Sequence, residues 1–224
     1  MAVPELDDQS CMFKQCTDHM VTAVWNDVTG WAAPELKPYG NLSLAPTASC
    51  LHYATECFEG MKMYRGYDGK LRLFRPDCNT RRMLVSSARI SLPAFDPEEL
   101  EKLIIAMVSI DGAKWLPKSR AGEFLYLRPT MIGSAAMLGV ATPKEATLFI
   151  IASYMPSLNV PSGMKLLASS DGVRAWPGGF GYAKLGANYG PTLMANEEAK
   201  ARGYHQVLWL LDGMSDFPHS FITF

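Results

Sequence analysis

A mixed α/β architecture with α+β character, in two domains of unequal size, is the fold this sequence predicts. Three observations predict it. Short strands joined by tight-turn residues argue against a purely parallel sheet, and helical stretches with their own start signals lie between strands. A stretch with two prolines and no periodicity then divides the chain.

The elements follow in order. MKMYRGYDGKLRLFR, from Met61, reads as two strands joined at Asp68-Gly69, a dipeptide suited to a hairpin turn. A helix is expected from about Pro76 to Ile90. A better-marked one starts at Asp96, an N-cap residue followed by Pro97 and by Glu98 and Glu99 near the positive end of the helix dipole. Leu100, Leu103, Ile104, Met107 and Val108 recur at helical spacing, so this stripe is core, and Asp111-Gly112 is the expected stop. Glu123 to Met131 alternates as a strand, with Phe124, Tyr126 and Arg128 on one face and Leu125 and Leu127 on the other. TLFIIASY, from Thr147, reads as a buried strand. Met155 to Ser162 carries the two prolines, which makes 155–165 the expected linker between domains 1–154 and 166–224. Beyond it, MKLLAS is a strand, Pro191 opens a helix through Ala201 that Gly203 closes, and QVLWLL is a further strand.

Composition narrows the function. Of the 224 residues, 48% are apolar and 11% aromatic, enough for a sizeable core, into which the 13 methionines fit as filler. With 21 basic and 22 acidic residues the formal charge is -1, so nothing marks a nucleic-acid partner or an anionic membrane face. No apolar run approaches the length of a membrane span. MAVPELDDQS is acidic where a leader would be basic, so a cytoplasmic location is expected, with a mitochondrial one left open. Cys11, Cys16, Cys50, Cys57 and Cys78 form no C-x-x-C pair, and the four histidines add no ligand spacing; reduced thiols and no metal are expected. Dinucleotide, P-loop and nucleophile-elbow motifs are absent from the sequence.

One segment stands out. Arg174 to Gly190 reads RAWPGGFGYAKLGANYG, with a single lysine among glycines that permit tight turns and close backbone approach. A nucleophilic lysine needs part of its amine unprotonated near neutral pH, which partial burial favours. From these residues alone the ordinary reading leads, since a lysine in a glycine-rich loop is usually solvated.

Longer strings give more. TDHM at Thr17, NLSL at Asn41, LHYATECFEGMK at Leu51, LRLFRP at Leu71, YLRPTMIG at Tyr126, and RAWPGG with KLGANYGPT from Arg174 resemble segments of the branched-chain amino acid aminotransferases. They occur in that family's order and near its spacing, from about Thr17 to Leu210. The resemblance implies a fold-type IV, pyridoxal 5'-phosphate-dependent enzyme with a two-domain subunit, here with an incomplete second domain, working as a homodimer or larger assembly. It implies transfer of the amino group of leucine, isoleucine or valine to 2-oxoglutarate. By the same resemblance Lys184 is the Schiff-base lysine and general acid/base, and Tyr189 hydrogen-bonds the cofactor's ring oxygen. Arg82 contacts the phosphate, although Arg81 beside it leaves that assignment open by one residue, and Arg174 is a second site arginine. Tyr53, Tyr126 and Arg128 line the substrate pocket. An aromatic pocket suits branched aliphatic side chains but separates valine poorly from the other two, since one methylene is worth about 0.8 kcal/mol.

The sequence also departs from the family. Tyr182, Ala183 and Ala187 replace more usual residues beside the lysine, and Met12 falls where an aromatic is common, with Phe13 adjacent. After Leu211 the text DGMSDFPHSFITF lacks a match to the segment whose glutamate pairs with the pyridine nitrogen; Asp212 and Asp216 are its only carboxylates. Little or no transaminase activity is therefore expected of this chain alone, and QVLWLL is expected to lack strand partners within it. Alternatives are an impaired fragment that binds an intact subunit, or a related enzyme for D-amino acids or aminodeoxychorismate.

Overall fold

A computed structural model describes residues 14–157, 160–169 and 172–211. The chain forms two compact units, Met1–Leu158 and Asn159–Phe224.

The first unit is built on the strands β1 (His19–Asn26), β2 (Gly30–Trp31), β3 (Glu35–Pro38), β4 (Glu56–Phe58), β5 (Met61–Arg65), β6 (Leu71–Leu73), β7 (Phe124–Gly133) and β8 (Glu145–Met155). They form an eight-stranded sheet in the order β2-β1-β8-β7-β5-β6, with β3 added beside β1 and β4 beside β7. All their pairings are antiparallel. The spine is β7 on β8, in register from Phe124 opposite Met155 to Gly133 opposite Ala146. Leu125, Leu127 and Met131 of β7 and Ile150 of β8 are almost wholly buried, and Met20, Met63, Met83, Met107 and Met155 help fill the core. The β5–β6 hairpin turns where Gly69 takes φ +80°, a backbone angle that glycine adopts without strain. Strands β2 to β4, of two to four residues, are too short to show alternation, and β1, though eight residues long, is buried at four successive positions and so shows none.

Helices α1 (Ser49–Tyr53), α2 (Pro76–Arg89) and α3 (Pro97–Trp115) complete this unit. At the start of α3 the Asp96 side chain accepts from the Glu98 N–H, the cap expected there. Its end differs: α3 continues through Asp111-Gly112 to Trp115. Gly112 stays helical because the helix lies so close to the hairpin that a β-carbon there would come 2.7 Å from Met63 Cε and 2.9 Å from Leu71 Cδ1. Asp111 stays because it is buried and paired with β1, where it accepts from the His19 backbone N–H at 2.9 Å and meets His19 Nδ1 at 2.7 Å. Tertiary contacts override a local stop signal here. At the far boundary, Met155 is a buried residue of β8 rather than linker.

In the second unit β9 (Leu166–Ser169) and β10 (Gln206–Trp209) pair in parallel, with α4 (Leu193–Ala201) between them in the chain. Leu167, Ala199, Val207 and Trp209 form its core, with Ala195 and Tyr204 packed against them. The last predicted strand therefore has a partner, contrary to expectation, and it ends at Trp209. Pro191 lies in a 3-10 turn, Gly190–Thr192, and the α-helix begins two residues later than predicted. Gly203 follows it at φ +77°.

Among the described residues no helix is long and apolar enough to cross a membrane, and no cluster of three potential ligands could hold a metal ion. Cys16, Cys50, Cys57 and Cys78 are free thiols; Cys11, Met12, Asp212 and Asp216 lie outside the described residues.

Candidate active site

The Lys184 segment of the second unit is a chain of tight turns. The Gly179 N–H donates to the Trp176 carbonyl, that of Ala183 to Phe180, and that of Tyr189 to Gly186. Gly181 lies so near Ala175 that a β-carbon on it would sit 2.4 Å from the Ala175 β-carbon, so this crossing admits only glycine. Asn188 ties the turns together, its side-chain amide donating to the carbonyls of Phe180 at 3.2 Å and Ala183 at 2.9 Å. Buried Ala183 and Leu185 anchor the backbone on either side of Lys184.

These turns bring Lys184 and Tyr189 together. Lys184 Nζ donates to Tyr189 Oη at 2.7 Å and lies 5.1 Å from the centre of its ring. Arg174 comes to the same phenol, its guanidinium carbon 5.5 Å from the ring centre. Arg174 Nε is buried and has no hydrogen-bond partner among the described residues. A buried donor without an acceptor is costly, by about 1–3 kcal/mol, and such a group belongs where an acceptor arrives from outside. An amine, a phenol and a guanidinium with an unsatisfied Nε thus share one place in the second unit.

In the first unit β7 sets Tyr126 and Arg128 on one sheet face, as the alternation predicts. Arg128 Nη2 donates to Tyr126 Oη at 3.3 Å. The guanidinium lies 4.4 Å from the centre of the Phe58 ring and 5.2 Å from that of Tyr126, and its Nε is buried with no hydrogen-bond partner among the described residues. Gly60 makes room for this arrangement: a β-carbon there would fall 2.0 Å from Tyr126 Oη. Burial pushes the carboxyl of Glu56 above its ordinary range, with Arg128 pulling in the other direction. Tyr53, at the end of α1, accepts from the Gly139 N–H at 3.0 Å through its hydroxyl.

The two neighbouring arginines of α2 behave differently. Arg81 is exposed and pairs with Asp77 one turn back at 3.5 Å. Arg82 reaches Glu59, whose side chain is 0% exposed, through both Nε and Nη2. Glu59, Asn79, Phe58 and Asn188 were not singled out by sequence reasoning. Glu59 and Phe58 stand inside the string LHYATECFEGMK, so that string was the available signal.

Residues 56–215 match the family of class IV amino-transferases. The chain is 47% identical over 209 residues to the cytosolic branched-chain-amino-acid aminotransferase of Saccharomyces cerevisiae, covering 92% of this chain and 55% of that protein. It is 48% identical over 198 residues to the cytosolic branched-chain-amino-acid aminotransferase of Mus musculus, covering 87% and 50% respectively. The chain therefore spans about half the length of these curated relatives. Among solved structures it resembles a branched-chain amino acid aminotransferase complexed with N-(5'-phosphopyridoxyl)-L-glutamate, with a TM-score of 0.67 and 27% identity over 85% of this chain and 59% of that one.

Proposed function

The chain belongs to the class IV amino-transferase family, and on that premise we propose that it carries the lysine half of a pyridoxal 5'-phosphate site for transamination of branched-chain amino acids with 2-oxoglutarate. The observation that carries this reading is the 2.7 Å contact of Lys184 Nζ with Tyr189 Oη, beside the unsatisfied Nε of Arg174. That donor set fits an aromatic aldehyde with an anionic oxygen: an amine to attach, a phenol to orient and a guanidinium whose buried Nε can donate to an anion. When bound, the cofactor supplies the aldehyde and the electron sink.

The chain's own residues do the rest. Lys184 Nζ is the base that takes the Cα proton of an amino acid and the acid that returns it. Tyr189 Oη holds that amine in one direction, so the proton moves along a fixed line. Arg174, beside the same phenol, would provide charge for the cofactor's anionic oxygens, and the phosphate role of Arg82 is proposed from the resemblance alone.

Arg128 deals with the problem of admitting both an aliphatic side chain and a second carboxylate. Its guanidinium is faced by the Phe58 and Tyr126 rings, which offer an apolar wall to leucine, isoleucine or valine. Its buried, unsatisfied Nε offers a donor to the distal carboxylate of 2-oxoglutarate. Tyr53 contributes a further aromatic wall. Similar enzymes are cytosolic in some cases and mitochondrial in others, so a cytoplasmic location with a mitochondrial one left open, and a homodimer, are part of the proposal.

Incubating the protein with pyridoxal 5'-phosphate and L-leucine tests the reading without turnover. Stoichiometric release of 4-methyl-2-oxopentanoate is expected, together with little release from D-leucine. Release no greater than from a Lys184→Ala variant would overturn it.

A further inference from the structure

We infer that Asn188 is a positioning residue that holds the Lys184 amine against the Tyr189 phenol, an inference that rests on the function proposed above and uses residues of the second unit alone.

Asn188 grips the chain on both sides of Lys184. Its Nδ2 donates to the Phe180 carbonyl at 3.2 Å and to the Ala183 carbonyl at 2.9 Å. Its backbone N–H donates to the Leu185 carbonyl at 3.1 Å. One residue thus holds the carbonyl before Lys184 and the carbonyl after it. A planar peptide joins the Ala183 carbonyl to the Lys184 nitrogen, so fixing that carbonyl fixes the direction in which Lys184 leaves the turn. Ala183 and Leu185 are buried, which keeps both anchor points in place.

The other end of the pair is held separately. Thr192 Oγ1 donates to the Tyr189 carbonyl at 2.7 Å and accepts from Asn196 Nδ2 at 3.3 Å, which ties Tyr189 to α4. Asn188 therefore sets Lys184 toward a phenol whose backbone is anchored elsewhere.

The residue type follows from the acceptors. An amide nitrogen has two hydrogens to give, one for each carbonyl. Serine has one and alanine none, and an ionised aspartate would set charge against two carbonyl oxygens. The demand for accuracy comes from the chemistry, since a misplacement of about 1 Å at a reacting group can cost about a hundredfold in rate.

The test is labelling of the full chain with limiting pyridoxal 5'-phosphate, borohydride reduction and peptide mass mapping. Label on Lys184 is read as a ratio to label on exposed Lys200 in the same sample, so differences in protein and reagent cancel. Wild type is expected to favour Lys184. Asn188→Ala should shrink the ratio about tenfold or more. In a Tyr189→Phe background, where no hydroxyl remains to be met, the same change should cost about twofold at most, a dependence that general loosening would not produce. Asn188→Asp keeps the shape and, when ionised, has no hydrogen to donate. It should act as Asn188→Ala does, and it carries the test if that variant does not fold. A ratio unchanged in these variants, or an equal loss with and without the Tyr189 hydroxyl, would overturn the positioning role and leave the proposed function standing. A wild-type chain with no preference for Lys184 would overturn the proposed function and the inference with it.

Discussion

Lys184 and Tyr189, five residues apart, meet amine to phenol at 2.7 Å because a 3-10 turn at Gly186–Asn188 folds the chain back between them. The turn itself is held by the Asn188 side chain, so the contact is a product of local sequence and needs no distant element. The pair is therefore preorganised within the second unit of the chain.

Tyr189→Phe removes the hydroxyl and leaves the ring beside Arg174. The concentration of pyridoxal 5'-phosphate giving half-maximal spectral change should rise about tenfold to a hundredfold, the usual worth of a hydrogen bond to a charged group. An unchanged titration would detach Tyr189 from the site.

Arg128→Gln keeps a polar side chain but loses the charge between Phe58 and Tyr126. The dissociation constant for 2-oxoglutarate should rise about tenfold or more, with a much smaller change for 4-methyl-2-oxopentanoate. Equal effects on both oxo acids would mean that Arg128 does not distinguish a second carboxylate.

Gly60→Ala drives a methyl group into Tyr126, 2.0 Å from its Oη and 2.7 Å from Cζ. The ring is rigid, so it must leave Arg128, and the variant should lose about 1–3 kcal/mol of stability in urea denaturation. Combined with Tyr126→Ala, most of that loss should disappear, because the two sites share one space. Full additivity would contradict the packing described.

His19→Ala strips the buried Asp111 carboxylate of its imidazole partner and leaves it the His19 backbone N–H. Destabilisation of about 1–3 kcal/mol is expected for the first unit, read as a shift in its urea midpoint. A variant as stable as wild type would show that the pair contributes nothing to fixing β1 on α3.

Cys57 gives the pH dependence. Burial pushes its thiol up to about 12, with the Glu56 and Glu59 charges adding to the effect. The fold holds a proton that the unfolded chain releases from about pH 9, so this contribution is complete below that value and declines as pH rises toward 12. Wild type should lose stability faster than Cys57→Ala over this window. At pH 8 a thiol reagent should label exposed Cys78 and leave Cys57 untouched until denaturant is added. Prompt labelling of Cys57 would contradict its burial.

What could be read in the sequence was what local chemistry writes. The Asp96 cap, the Asp68-Gly69 turn and the alternation of β7 each depend on neighbours a few residues away, and the structure has them all. Lys184 and Tyr189 could be singled out only through the resemblance of their segment to a family, because a lysine among glycines reads locally as a solvated loop residue. Gly112 was misread because its place in α3 comes from Met63 and Leu71, far away in the chain. Glu59 was missed because its meaning depends on Arg82, 23 residues later and on another element. Short strands such as β2 and β4 exist through their pairing with longer ones, and no periodicity of two or three residues can announce that.

Every role proposed for the site requires the Lys184 amine to condense with the cofactor's aldehyde. Borohydride reduction of the protein incubated with pyridoxal 5'-phosphate, followed by peptide mass mapping, tests this most directly. One pyridoxyl group on the peptide containing Lys184, absent from Lys184→Ala, is the predicted result. Label spread over exposed lysines such as Lys102, Lys144 and Lys200, with Lys184 unmodified, would contradict it.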